Sequence, residues 1–133
     1  MAATFQFELV SPERLLLSTE VSEVIVPGTD GEFTVLPNHA PMMTTIRPGI
    51  LSVKTEGSGD REEYVLLGGF AEAGPDRLTI LAEEAYVRSE LDKDALASSI
   101  RDTEEDARDA QTDEARALAT ERLEQLKTLE ALA

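Results

Sequence analysis

His39 is the only histidine of the chain, and it stands between Pro37 and Pro41 in the stretch TVLPNHAPMMTTIRPGIL, residues 34–51. An imidazole in such a place could serve as a general base, a metal ligand or part of a contact surface. A metal site needs further nitrogen or sulfur donors, and this histidine has no histidine or cysteine company. With 0 cysteines, disulfides, thiolate zinc sites and cysteine nucleophiles are excluded. Ser58 lies in Gly57-Ser58-Gly59, which lacks the flanking spacing of a nucleophile elbow. Gly28, Gly31 and the pair Gly68-Gly69 make no phosphate loop, since no GxxxxGK is present and no lysine is near. The pair reads instead as a bulge or a close backbone approach within a strand. The many carboxylates fall in turns and on helix faces, where charge serves solvation. These residues predict no enzyme activity: no catalytic residue, no cofactor and no metal.

His39 therefore reads as a surface or rim residue. Pro37, Pro41 and Pro48 fix the backbone around it. A rigid, partly apolar turn suits a fixed contact patch, because it loses little conformational entropy when a partner docks.

Bulk properties narrow the partner. The formal net charge is −15 over 133 residues, so the surface repels nucleic acid and anionic lipid headgroups. A partner should offer basic or neutral polar groups. With 4 Phe, 2 Tyr and no Trp, a stacking platform for bases or sugars is not expected. No apolar run approaches the roughly 20 residues of a membrane span, so direct membrane insertion is not expected. The N-terminal MAATFQFELV lacks a basic region followed by an apolar one, so no secretion signal is expected.

Two halves with different grammar must position the turn. In residues 1–87, Phe5, Phe7 and Leu9 alternate with Gln6 and Glu8, the period of a half-buried strand. Short apolar runs recur at 15–17, 21–26, 33–36, 50–53, 64–67 and 78–81, separated by turn signals such as Pro27-Gly28-Thr29-Asp30-Gly31 and Arg47-Pro48-Gly49. That spacing predicts an antiparallel sandwich or barrel. Residues 88–133 differ, with no Gly and no Pro from Ser89 onward. Leu96, Ile100, Thr103, Ala107 and Ala110 predict one helix face, with Asp92 as N-cap. After a break near Thr112 and Asp113, Ala115, Ala119, Leu123 and Leu126 predict a second stripe, widened by Leu118, Leu129 and Leu132. Two helices on a short loop make an antiparallel hairpin. Its first helix offers little apolar area, which slightly favours weak docking.

In this order, Gly31-Glu32-Phe33, Leu36-Pro37-Asn38-His39-Ala40-Pro41, Thr45-Ile46-Arg47-Pro48-Gly49, Gly68-Gly69-Phe70 and Leu78-Thr79-Ile80-Leu81-Ala82 resemble the epsilon chain of the bacterial F-type ATP synthase. The resemblance covers essentially the whole chain, and residues 31–49 are its most specific part. It implies a β-sandwich of about ten mainly antiparallel strands followed by a C-terminal α-helical hairpin. It also implies a non-catalytic rotor subunit of the central stalk of a proton-translocating complex, peripheral on the cytoplasmic face of the inner membrane. The implied partners are the gamma subunit, along one side of the sandwich, and the polar loops of the c-ring, at the proline-framed end. The beta subunits are the partner that extended helices would meet. Glu32, Pro37, Asn38, His39 and Met42 are then the implied c-ring contacts, with Glu32 and His39 on one exposed turn apart from any pocket. The family's c-subunit loops carry an arginine and a glutamine, a natural counterpart for Glu32.

The chain departs from that family at the helices. Members that bind ATP carry I/L-D-x-x-R-A, whereas here Leu91-Asp92-Lys93-Asp94-Ala95-Leu96 has Ala95 for the arginine. A nucleotide-sensing module is a rival reading that Ala95 disfavours, and an unrelated sandwich with a helical tail is a second rival. Residues 92–110 carry net charge −4 and residues 113–133 carry −2. Inhibitory members present basic residues to an acidic loop of the beta subunits, so this charge predicts a folded hairpin and weak inhibition at most.

Overall fold

The computed structural model of the chain describes residues 3–56 and 59–133. Ser58, considered above as a nucleophile, lies outside them. The chain divides into two compact units, Met1–Arg88 and Ser89–Ala133.

The first unit holds nine strands among the described residues: β1 (Phe5–Val10), β2 (Leu15–Gly28), β3 (Gly31–Val35), β4 (Met42–Ile46), β5 (Gly49–Thr55), β6 (Arg61–Leu66), β7 (Gly69–Ala73), β8 (Arg77–Ala82) and β9 (Ala85–Val87). Two of the apolar runs, 15–17 and 21–26, belong to one 14-residue strand, while β4, β7 and β9 coincide with none of the runs. The first half of β2 pairs with β1, which continues through β8 and β7 to β4. The second half pairs with β3 and β5, and β5 leads on to β6 and β9. β2 thus belongs to both layers of the sandwich. Its β5 register shifts between Val21 and Glu23. The extra residue there resets the alternation, so Val21 and Val24 are both buried although three positions apart. All pairings are antiparallel except β1–β8, which is parallel.

The core follows the alternation read from sequence. Phe5, Phe7 and Leu9 of β1 are buried together with Val24, Val26, Leu51, Val53, Leu66, Leu78 and Ile80. One glycine is fixed by a close approach. Gly69 has φ +143, and a Cβ there would stand 2.1 Å from the Leu81 carbonyl oxygen and 2.9 Å from the Ala82 Cα. This is the close backbone approach expected of the Gly68-Gly69 pair.

The second unit is a helical hairpin of α1 (Lys93–Asp109) and α2 (Asp113–Leu132). Asp92 caps α1, its carboxylate accepting from the amides of Asp94 (2.9 Å) and Ala95 (3.1 Å). Thr112 caps α2 by accepting from the Ala115 amide at 3.0 Å. Leu96, Ile100, Leu126 and Leu129 are buried. The expected stripe of α2 is only partly covered, since Ala115 and Leu118 are exposed. Near the C-terminus of α1 the half-buried positions are Ala107 and the C-cap residue Ala110, and alanine buries little area. Asp92→Ala should cost about 1 kcal/mol, the usual value of a lost N-cap. Chemical denaturation followed by helical circular dichroism checks it.

Candidate contact surface

Glu32 follows the tight β2–β3 turn. Gly31 there has φ +132, a conformation that favours glycine. The tip is tied down from the neighbouring β4: the Thr29 amide donates to the Thr45 carbonyl (3.0 Å), and the two threonine hydroxyls lie 2.7 Å apart. The Arg47 amide donates to the Pro27 carbonyl at 3.0 Å. The Glu32 side chain is exposed on this stiff base.

The proline-framed loop lies elsewhere. In the β2–β3 register Glu32 faces Pro27 and Val35 faces Val24, so β3 runs from the hairpin tip to the loop. At about 3.3 Å per residue, three steps along the strand carry the backbone about 10 Å before the loop begins. The expectation that Glu32 and His39 share one turn is therefore corrected: β3 separates them. The outward residues of β3 bridge the gap, because Glu32, Thr34 and Leu36 are all exposed while Val35 is buried. The feature is a strip along an outer strand that pairs only with β2 among the described residues.

Within the loop, Pro37 is half-buried and Asn38 is exposed. Asn38 has φ 67, the sole positive φ of a non-glycine among the described residues. Its amide donates to the Pro75 carbonyl at 2.8 Å, which ties the loop to the β7–β8 turn. The Asp76 carbonyl in that turn accepts from the Gln6 amide of β1 at 2.9 Å. His39 is half-buried, and its Nδ1 lies 2.7 Å from the Ala40 carbonyl. A carbonyl can only accept, so Nδ1 carries the proton.

Met42 departs from its expected role as a contact. Its side chain packs against the core, whereas Met43 is 63% exposed. Counting back by twos from buried Ile46 puts Thr44 and Met42 on the inner face and Met43 and Thr45 on the outer. Leu36, 49% exposed, is a second outward residue that the motif reading passed over.

Neither of two surface grooves of this unit includes the candidate residues. One is lined by Val10, Pro12, Phe70 and Leu81, the other by Ser11, Glu13, Arg14 and Tyr86. Among the described residues, no three histidine or acidic side chains are grouped to hold a metal. Among the described residues, no helix is long and apolar enough to cross a membrane.

The start of α1 bears on nucleotide. The Asp92 carboxylate takes up amides that a phosphate would need, and Asp94 adds a second negative charge in the first turn. Negligible ATP binding is expected at millimolar concentration. A calorimetric titration of the chain checks this, and a micromolar dissociation constant would refute it.

The chain thus joins a β-sandwich to a C-terminal helical hairpin. Residues 4–88 match the family described as ATP synthase, Delta/Epsilon chain, beta-sandwich domain. The chain is 52% identical to the ATP synthase epsilon chain of Mesorhizobium japonicum, over 98% of this chain and 96% of the relative. The ATP synthase epsilon chain of a Chelativorans species matches to the same extent. Among solved structures, a chain of the Euglena gracilis mitochondrial ATP synthase, OSCP/F1/c-ring in rotational state 1, is similar with TM-score 0.74 and 27% identity, over 97% of this chain and 81% of that one. The chain belongs to the ATP synthase epsilon chain family.

Proposed function

We propose that this chain is a non-catalytic rotor subunit of the central stalk of an F-type ATP synthase, coupling the catalytic head to the membrane c-ring. The observation that carries the proposal is the near full-length similarity to epsilon chains. The similarity to a chain of an F1/c-ring assembly supports it. The sandwich, residues 1–87, binds the gamma subunit and the c-ring, and the hairpin, residues 88–133, has at most a weak inhibitory role. The site is peripheral, on the cytoplasmic face of the bacterial inner membrane.

The strip from Glu32 through Thr34 and Leu36 to Pro37, Asn38 and His39 is the c-ring contact, with Met42 bracing the loop from the core side. A strip suits this role better than a single turn, because it spreads contact along a paired strand that cannot swing. The apolar groove of Val10, Pro12, Phe70 and Leu81 suits gamma, since Leu81 is 50% exposed there.

Co-purification tests the reading: tagged chain should retain the gamma subunit and c-ring from solubilised membranes, and recovery of neither would overturn it. Glu32→Lys should weaken ring association about fivefold, equivalent to about 1 kcal/mol for an exposed interfacial charge. The isolated variant should keep its unfolding midpoint, because the Glu32 side chain is exposed. An unfolded variant would show that the residue is structural instead.

A further inference from the structure

We infer that Asn38 is a positioning residue for His39, and that His39 in its neutral form meets the partner as a hydrogen-bond acceptor through Nε2. The inference rests on the reading that this loop is a partner contact. Three observations converge on it. Asn38 has φ 67, which asparagine tolerates far better than β-branched residues do. Its amide is anchored at 2.8 Å on the Pro75 carbonyl of a different turn, so the left-handed residue is a joint between two loops. The next residue, His39, has Nδ1 engaged by the Ala40 carbonyl at 2.7 Å.

The chemistry follows from the tautomer. With the proton on Nδ1, the neutral ring has a lone pair on Nε2. No partner for Nε2 is present among the described residues. The matching group on the other side is an N–H donor, such as a guanidinium or a carboxamide. This fits a chain whose net charge of −15 favours donors over acceptors in its partners. Pro37 before the joint and Pro41 after the histidine leave the loop few alternatives to the conformation that Asn38 sets.

The test is the affinity of the chain for the stalk and ring assembly from which the native subunit has been stripped. Asn38→Gly accepts the positive φ and should bind within about threefold of the parent. Asn38→Val resists it and should bind at least about tenfold more weakly. His39→Ala should also bind about tenfold more weakly. In the His39→Ala background, Asn38→Val should add less than about threefold, because its effect runs through the ring. If Asn38→Val does not fold, Asn38→Ala replaces it, with a smaller loss in the same direction. Parent-like binding by a folded Asn38→Val, or full additivity with His39→Ala, would overturn the positioning role. Failure of the parent chain itself to bind would instead overturn the functional reading on which this one rests.

Discussion

Gly69→Ala should lower the urea midpoint of the sandwich further than any other single added methyl group in this chain. Two penalties add. The φ of +143 lies where only glycine is at ease, and the new Cβ would stand 2.1 Å from the Leu81 carbonyl oxygen. The obstacle is backbone, so no flexible side chain can move aside. Relief requires β7 and β8 to part along the pairing that runs from Gly69↔Ala82 to Ala73↔Leu78. That would expose the buried Leu78 and Ile80. Backbone strain costs about 1–3 kcal/mol, and disrupted packing adds a similar amount. The sum is a large part of the 5–15 kcal/mol typical of a domain. Urea denaturation of the parent and the variant measures it, and a midpoint unchanged within error would contradict the close approach. Gly59→Ala is the matched control, because a Cβ there would meet nothing within 4 Å.

Truncation after Arg88 should leave ATP synthesis intact and raise ATP hydrolysis by less than about twofold. Regulation by the hairpin would require its helices to dock on another subunit. Residues 92–110 carry net charge −4 and residues 113–133 carry −2. Against an acidic surface these charges repel, and the penalty grows as water is excluded. A bound state disfavoured by about 1.4 kcal/mol is populated roughly one time in ten, which leaves little inhibition to relieve. Leu118, 68% exposed on α2, is the strongest counter-argument, since it offers apolar docking area. Membrane ATPase rates of the full and truncated chains decide between them, and a several-fold rise on truncation would show that apolar docking outweighs charge.

Strands with strong alternation were legible in the sequence. β1 is the clearest case, with Phe5, Phe7 and Leu9 buried as expected. The cap of α1 was legible too, because Asp92 is a residue type that accepts from free amides, whereas the break near Thr112 and Asp113 left open which of the two caps α2. β4 was not, since Met-Met-Thr-Thr-Ile shows no apolar alternation and its inner face is set by Ile46. β9 has three residues, and its pairing to Tyr64–Leu66 defines it more than its composition does. β2 was split in two because Ser18, Thr19 and Glu20 resemble a turn, although they are held by β1 on the other side.

The site was legible as a motif but not as a shape. Residues 31–49 marked the candidate region, yet sequence distance made Glu32 and His39 neighbours when β3 lies between them. Met42 was chosen over Met43 because a motif carries no facing. The facing comes from the pairing of Ile46 with Gly69, a long-range contact. The left-handed Asn38 carried a faint signal, an asparagine between a proline and a histidine, but its anchor on Pro75 is 37 residues away. Such cross-chain bonds have no local signature.

The most direct test of the rotor role is proton-driven ATP synthesis in inverted membrane vesicles stripped of the native subunit. Purified chain added back should restore synthesis and reduce passive proton leak together, in proportion to the chain bound. Glu32→Lys should need several-fold more protein for the same recovery. Vesicles that synthesise ATP at the unstripped rate without the chain, or that bind it and gain no coupling, would contradict a role in joining the head to the ring.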